Sequence, residues 1–257
     1  MKMKTIYSVA LMVAVVALLV ASVPVQASTM DDSIALSAKK SYVFITYLQG
    51  DDIKIHSKDG VVSLTGTVSE ESHKSLAQET VAGLPGVKSV DNRIEVKGVP
   101  PTIYSDAWVR DKVKATLLFH PSVSAGNTEV DFKDGVVTLR GNADSQAQKD
   151  LTTEYAKDVE GVKEVINEMT VSKTLKETPR TTGERIDDAS ITAQVKMALL
   201  FHRSTSALHT TVETMLGVVT VGGKAKNAAE KDLVTKLAND VAGVSSVKNQ
   251  MAIEESK

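Results

Sequence analysis

The chain has no cysteine, which excludes disulfides, thiolate nucleophiles and cysteine-based zinc sites. Aromatic residues are only 4% of the sequence and include a single tryptophan. Cores must therefore be built from Val, Leu, Ile and Ala, which suits small α/β modules of modest individual stability. There is no excess of positive charge either: 30 Lys and Arg against 32 Asp and Glu give a net charge of −2. Such a chain has no overall basic field for nucleic acid. What is present is ordinary globular composition, 42% hydrophobic and 24% charged over 257 residues, enough for one large or two to three small domains.

Residues 1–27 differ from the rest. Lys2 and Lys4 make a basic start, Ile6 to Ala21 is nearly all apolar, and Val25-Gln26-Ala27 follows Pro24 with small residues at the −3 and −1 positions. This is the pattern of a secretory signal peptide cut after Ala27; the alternative is an uncleaved anchor helix. A lipoprotein is excluded by the missing cysteine. Removing 1–27 takes away two lysines and no acid, leaving 28 − 32 = −4, and the protein is expected to be exported.

One stretch recurs three times: Asp59-Gly60-Val61-Val62-Ser63-Leu64-Thr65-Gly66, Asp134-Gly135-Val136-Val137-Thr138-Leu139-Arg140-Gly141, and Leu216-Gly217-Val218-Val219-Thr220-Val221-Gly222-Gly223. Each reads as a turn, a strand with β-branched residues, and a glycine where a bulge or left-handed backbone is expected. A further glycine, Gly86, Gly161 or Gly243, follows each turn glycine by 26 residues. Unbroken spacing over that length means one packed unit used three times.

Each unit opens on an acid, Asp31, Asp106 or Asp188, placed 29 residues before its turn glycine. The acid suits an N-cap or a first helical turn. Val109, Val113 and Leu117, like Ile191, Val195 and Leu199, recur every four positions and predict a helix with one buried stripe. Tyr42 to Tyr47 alone would read as a strand; register with the other copies makes it helix. A hairpin follows around the turn glycine. A second helix starts at about Ser69, Asp144 or Asn227, with Leu76, Leu151 and Leu233 expected to be buried, and Asn227 and Glu230 at capping-box spacing. The last element, Val87-x-x-Val90-x-Asn92-x-Ile94-x-Val96 and its two counterparts, alternates as a strand with one buried face. The fold class is α+β: three tandem α-β-β-α-β units, each a three-stranded sheet with two helices on one face. The boundaries are 28–98, 105–173 and 187–257. Gly98 to Thr102, stiffened by Pro100 and Pro101, should couple units one and two, while the linker 174–186 should leave unit three loosely tethered.

The order of helix, Asp-Gly-Val-Val-x-Leu-x-Gly strand, helix and Gly-Val-x-x-Val-x-Asn strand resembles the BON domain of bacteria. With an export signal ahead of tandem units, the chain is similar to the hyperosmotically inducible periplasmic proteins. Two departures stand out: those proteins usually carry two units where this chain has three, and Leu216 replaces the turn aspartate. The resemblance implies a non-enzymatic envelope protein of the stress-response type. Its partners would be a phospholipid membrane surface or partly unfolded exported client proteins, in a chaperone-like role; a purely structural interaction module is the alternative.

The residues themselves offer no catalytic constellation. Phe119-His120 and Phe201-His202 recur at one place, without a second histidine or carboxylate recurring beside them, and are read as packing and helix-end electrostatics. His56, His73 and His209 have no counterparts. Asp59 and Asp134 lack the several oxygen ligands of a calcium loop and are read as turn residues. The glycines make no phosphate cradle, and no Gly-x-Ser-x-Gly occurs. No cofactor, metal, nucleic acid or small-molecule substrate is expected. The one candidate contact surface is a helix stripe, Trp108, Lys112, Ala115 and Phe119, spaced 4, 3 and 4 apart and about 100° from the buried stripe. Unit three places Ser190, Gln194, Met197 and Phe201 there, and unit one Ser33, Ser37, Lys40 and Phe44. Trp108, Lys112 and Phe119 are read either as a contact for membrane or client or as packing against a neighbouring unit. The repeated glycines (Gly60, Gly66, Gly86; Gly135, Gly141, Gly161; Gly217, Gly223, Gly243) are read as structural.

Overall fold

The computed structural model describes residues 23–98, 102, 104–120, 122–123, 125–172, 186–205 and 210–254, with side chains from residue 29 onward. The apolar leader through residue 22, most of both linkers, Pro121 and His209 lie outside the described residues.

Unit one runs α1 (Val23–Lys40), α2 (Tyr42–Thr46), β1 (Asp52–Lys58), β2 (Val61–Val68), α3 (Glu71–Ala82) and β3 (Ser89–Val96). Unit two is α4 (Asp106–Phe119), β4 (Thr128–Lys133), β5 (Val136–Ala143), α5 (Gln146–Lys157), β6 (Glu164–Asn167) and β7 (Thr170–Val171). Unit three is α6 (Asp188–Phe201), β8 (Thr210–Met215), β9 (Val218–Ala225), α7 (Ala228–Asn239), β10 (Ser246–Asn249) and β11 (Ala252–Ile253). The expected helix over Tyr42 to Tyr47 is present, but Ser41 separates it from α1. The α1 helix itself begins at Val23, on the leader side of the expected cleavage after Ala27.

In each sheet the repeated strand is central, antiparallel to the hairpin strand before it and parallel to the last strand. Val62 and Leu64, Val137 and Leu139, and Val219 and Val221 are fully buried under the helices. The hairpin turns place both central residues in the left-handed region: Asp59 (φ 55°) with Gly60 (81°), Asp134 (53°) with Gly135 (95°), and Leu216 (53°) with Gly217 (78°). That is the type I′ combination whose twist matches the flanking strands.

Two contacts with the same spacing in each copy hold the unit together. The opening aspartate reaches the hairpin turn: Asp31 accepts from the backbone N–H of Asp59 and Gly60, and Asp188 from those of Leu216 and Gly217 at 2.7 and 2.8 Å. Asp106 accepts from Asp134 N–H at 3.3 Å. At the other edge, the amides of Asn92, Asn167 and Asn249 donate to the carbonyls of Lys74, Lys149 and Lys231 on the second helix, and their oxygens accept from the N–H two residues on. In units two and three the last strand is broken just after this asparagine.

The second helices start one to two residues later than expected. Those of units two and three are capped by Ser145 and Asn227; in unit three the Glu230 N–H donates to Asn227, and the Glu230 carboxylate reaches back to the N–H of Lys226, one residue before the cap. Leu76 is buried as expected and Leu233 is half-buried, but Leu151 is 39% exposed; Thr152 and Ala156 take the inward positions of α5.

Unit three is not loosely tethered. The α6 helix lies against α3 of unit one and α4 of unit two, and eleven of its fourteen residues are buried. One core cluster combines Val43, Ala77 and Val81 of unit one, Ala115 and Phe119 of unit two, and Ala189, Ala193, Met197 and Phe201 of unit three. Ile191, Val195 and Leu199 face unit three's own sheet, so α6 is apolar on both sides because both sides are covered.

Candidate functional site

The stripe singled out from the sequence divides into two parts with different fates. Its far end, Ala115 and Phe119, is closed inside the three-unit cluster. Phe119 is 1% exposed and meets the Tyr47 ring edge-on at 5.9 Å, so in this arrangement it is presented neither to a membrane nor to a client. The equivalent stripe of unit three is an interface too. Asp187, the N-cap of α6, accepts from Tyr42 N–H and from Ser190, while the Ser190 hydroxyl accepts from Val43 N–H. Unit three thus supplies the cap that Ser41 does not give to α2. Gln194 accepts from the Tyr47 hydroxyl, and Lys196 pairs with Glu79 at 2.8 Å.

The near end of the unit-two stripe, Trp108 and Lys112, is half-buried. Lys112 Nζ lies 3.8 Å from the centre of the Trp108 ring, and the ring of Tyr104 meets Trp108 edge-on at 5.1 Å. Tyr104 is 70% exposed, while Trp108 is half-buried against unit two's own core. The ammonium also reaches Glu160 at 3.4 Å; burial lowers its pKa and Glu160 opposes that shift. The result is an exposed tyrosine against a half-buried tryptophan, with a largely covered lysine held near the rings of both Trp108 and Phe201. Tyr104, in the left-handed region at φ 66°, escaped the sequence reading because no counterpart marks it and it precedes the helix.

The repeated histidines sit where units two and three meet. Residues 158–162 run beside 201–203, with backbone hydrogen bonds from Glu160 to Phe201 and from Arg203 to Asp158. His120 is buried with its ring stacked on Tyr155 at 3.7 Å, and its Nδ1 has no hydrogen-bond partner. Burial, with His202 nearby, pushes its pKa down to about 4. The helix-end charge expected of it is therefore absent at neutral pH; His120 is a packing residue. His202 is also lowered by burial, against Asp158, which lies 3.7 Å away. Among the described residues no group of three or more His, Asp or Glu is placed to hold a metal ion, and no helix is long and apolar enough to cross a membrane.

A cavity of about 200 Å³ opens between units one and two. Its floor is Leu76, Leu117 and Phe119, and its mouth carries Glu70, His73 and Lys114. Glu70 and Lys114 face each other across it at 3.9 Å. No nucleophile or acid pair is arranged in it.

The model of the BON domain matches this sequence at residues 31–98, 105–173 and 187–255. Among characterised proteins, the chain is 34% identical over 146 residues to the osmotically-inducible protein Y of Escherichia coli, covering 54% of this chain and 72% of that protein. It is 32% identical over 112 residues to the outer membrane lipoprotein DolP of Haemophilus influenzae, covering 43% and 58%. Among solved structures, a structural protein of the type III secretion system of Chlamydia trachomatis aligns over 82% of this chain and 90% of its own, at 17% identity and a TM-score of 0.25, a likeness too weak to carry any inference.

Proposed function

Because the chain belongs to the BON-domain family, with three units of that domain, we propose that it is an exported, non-enzymatic binding protein of the envelope stress response that contacts phospholipid surfaces. The observation that carries this reading is the exposed Tyr104 ring set against half-buried Trp108, with Lys112 across the Trp108 ring. Aromatic rings beside a cation suit the headgroup layer, where one end of each side chain is apolar and the other wet. Relatives named as an osmotically inducible protein and an outer membrane lipoprotein support placement in the envelope.

A second reading is capture of partly unfolded exported proteins. It is favoured by the net charge of −4 expected of the exported chain, 28 − 32, which gives it no overall attraction to anionic lipid. The two are separated by parallel assays on one preparation: co-sedimentation with vesicles over a salt series, and suppression of aggregation of an unfolded client without lipid. Lipid contact through this surface predicts that Trp108→Ala and Tyr104→Ala weaken sedimentation severalfold and leave the aggregation assay unchanged. Aggregation suppression with no vesicle binding would replace the first reading by the second.

A further inference from the structure

The hairpin turn of unit three departs from its two copies in a way the fold does not reward. Ahead of the turn glycine, units one and two carry Lys58-Asp59 and Lys133-Asp134; unit three carries Met215-Leu216. Both are among the most exposed large apolar side chains, at 73% and 70%. Leu216 also occupies the left-handed region at φ 53°, which aspartate tolerates better than a bulky apolar residue. The turn therefore holds a leucine in an unfavourable conformation and points it at water.

We propose that this turn is a membrane-inserting tip, with Met215 and Leu216 entering the interfacial layer of a phospholipid bilayer. The inference rests on the lipid reading above and adds a second point of contact, on a different unit from Tyr104 and Trp108. The backbone of the tip is already paired, as it is at the unit-one turn. The N–H groups of Leu216 and Gly217 are held by Asp188 at 2.7 and 2.8 Å, and the Gly217 carbonyl accepts from Ser245 N–H at 2.8 Å. Insertion leaves none of these groups without a partner.

The size of the tip selects a bilayer over a protein. Two side chains fall far short of the ~1,200 Å² that a stable protein interface buries, and a convex tip needs a shaped pocket on a protein partner. A bilayer accepts apolar side chains without shape complementarity. A smaller apolar exposure lies at the same end of the paired units. Asp188 adjoins Ala189, against which a side chain at Gly83 would lie 3.3 Å away, and exposed Met30 packs beside Gly86 close to the unit-one turn. Exposed Val61 follows that turn directly. Because the two inserting side chains are uncharged, their contribution is expected to be insensitive to salt.

The test uses the full exported chain with vesicles of phosphatidylcholine alone and of phosphatidylcholine mixed with phosphatidylglycerol. The variant Met215→Lys/Leu216→Asp installs the pair that units one and two already fold around, so its urea midpoint should equal or exceed that of the wild type. Vesicle partitioning of this variant is expected to fall roughly tenfold or more, equally at low and high salt. The chain has no cysteine, so Met215→Cys carries a single environment-sensitive fluorophore, whose emission should shift to the blue on vesicles and be quenched from within the lipid. Wild-type binding with an unaffected double variant, or a label that stays aqueous on vesicle-bound protein, overturns the tip and leaves the lipid reading standing. Failure of the wild type to bind either vesicle overturns both.

Discussion

A methyl group placed on Gly141 would sit 1.9 Å from the backbone oxygen of Asn127, and one on Gly66 would meet Asp52 in the same way. Both glycines have φ near +115°, so neither the conformation nor the space admits a side chain. Gly141→Ala and Gly66→Ala should each cost at least 1–3 kcal/mol, about the strain of a disallowed backbone, read as a lower urea midpoint. Gly222→Ala should cost less, since only the Thr211 hydroxyl is in the way and a side chain can rotate; equal losses at 141 and 222 would contradict this. These positions were legible because three copies kept glycine where the rest of the strand varied. His120 was legible in place but not in state. Burial holds it at about 4 against an ordinary 6.5, so between those values the unfolded chain binds a proton that the folded chain does not. Stability should fall as pH drops through that window, by up to roughly 3 kcal/mol. The groups facing His120 are the Tyr155 ring and His202, with Asp158 beyond His202. His120→Phe, which keeps the stack, should flatten this part of the urea-midpoint profile from pH 7 to 4.5; an unchanged slope would assign it elsewhere.

At the scale of the element, the opening aspartate is informative because its role reaches beyond its helix. Asp106 and Asp188 do lie in the first turn of α4 and α6, where the helix dipole favours them. The constant spacing to the turn glycine is explained by the contact with the hairpin, which fixes where the first helix crosses the sheet. Asp188→Ala would leave the N–H groups of Leu216 and Gly217 without their acceptor, a cost on the order of 1–3 kcal/mol. Hydrogen exchange at those two amides should accelerate well beyond that of the rest of β8 and β9; uniform acceleration would mean that the unit merely loosened. Periodicity identified the elements and their order because each unit buries one face of one sheet. It misplaced Leu151 because α5 turns Thr152 and Ala156 inward, small residues that a search for large apolar positions passes over. The break between α1 and α2 at Ser41 has a cause outside its own unit, the Asp187 and Ser190 groups that take up the freed N–H donors.

At the scale of the whole molecule the long linker 174–186 does not set how freely unit three moves, and the reason is physical: a long connection limits how far a unit can move, while burial decides whether it does. The signal was in α6 itself, whose only charged residue after the first turn is Lys196, whereas α4 carries Arg110, Asp111, Lys112 and Lys114. A helix with so few charges cannot leave one face in water. Its second face closes on Phe119, Val43 and Val81, with the Glu79–Lys196 pair at the edge. Cutting the chain within 174–186 is therefore expected to leave both fragments associated through size-exclusion chromatography in native buffer. The nicked and intact proteins should each unfold in one cooperative transition. Phe119→Ala removes the ring that all three units share, at a cost of about 3–5 kcal/mol if the site does not collapse. In the nicked protein this variant should release the unit-three fragment, with Met197 and Phe201 exposed and prone to aggregation. Separation of the fragments after nicking of the wild type would show instead that the units only touch. Association that survives Phe119→Ala would place the holding energy in the polar contacts of Asp187 and Ser190 with α2.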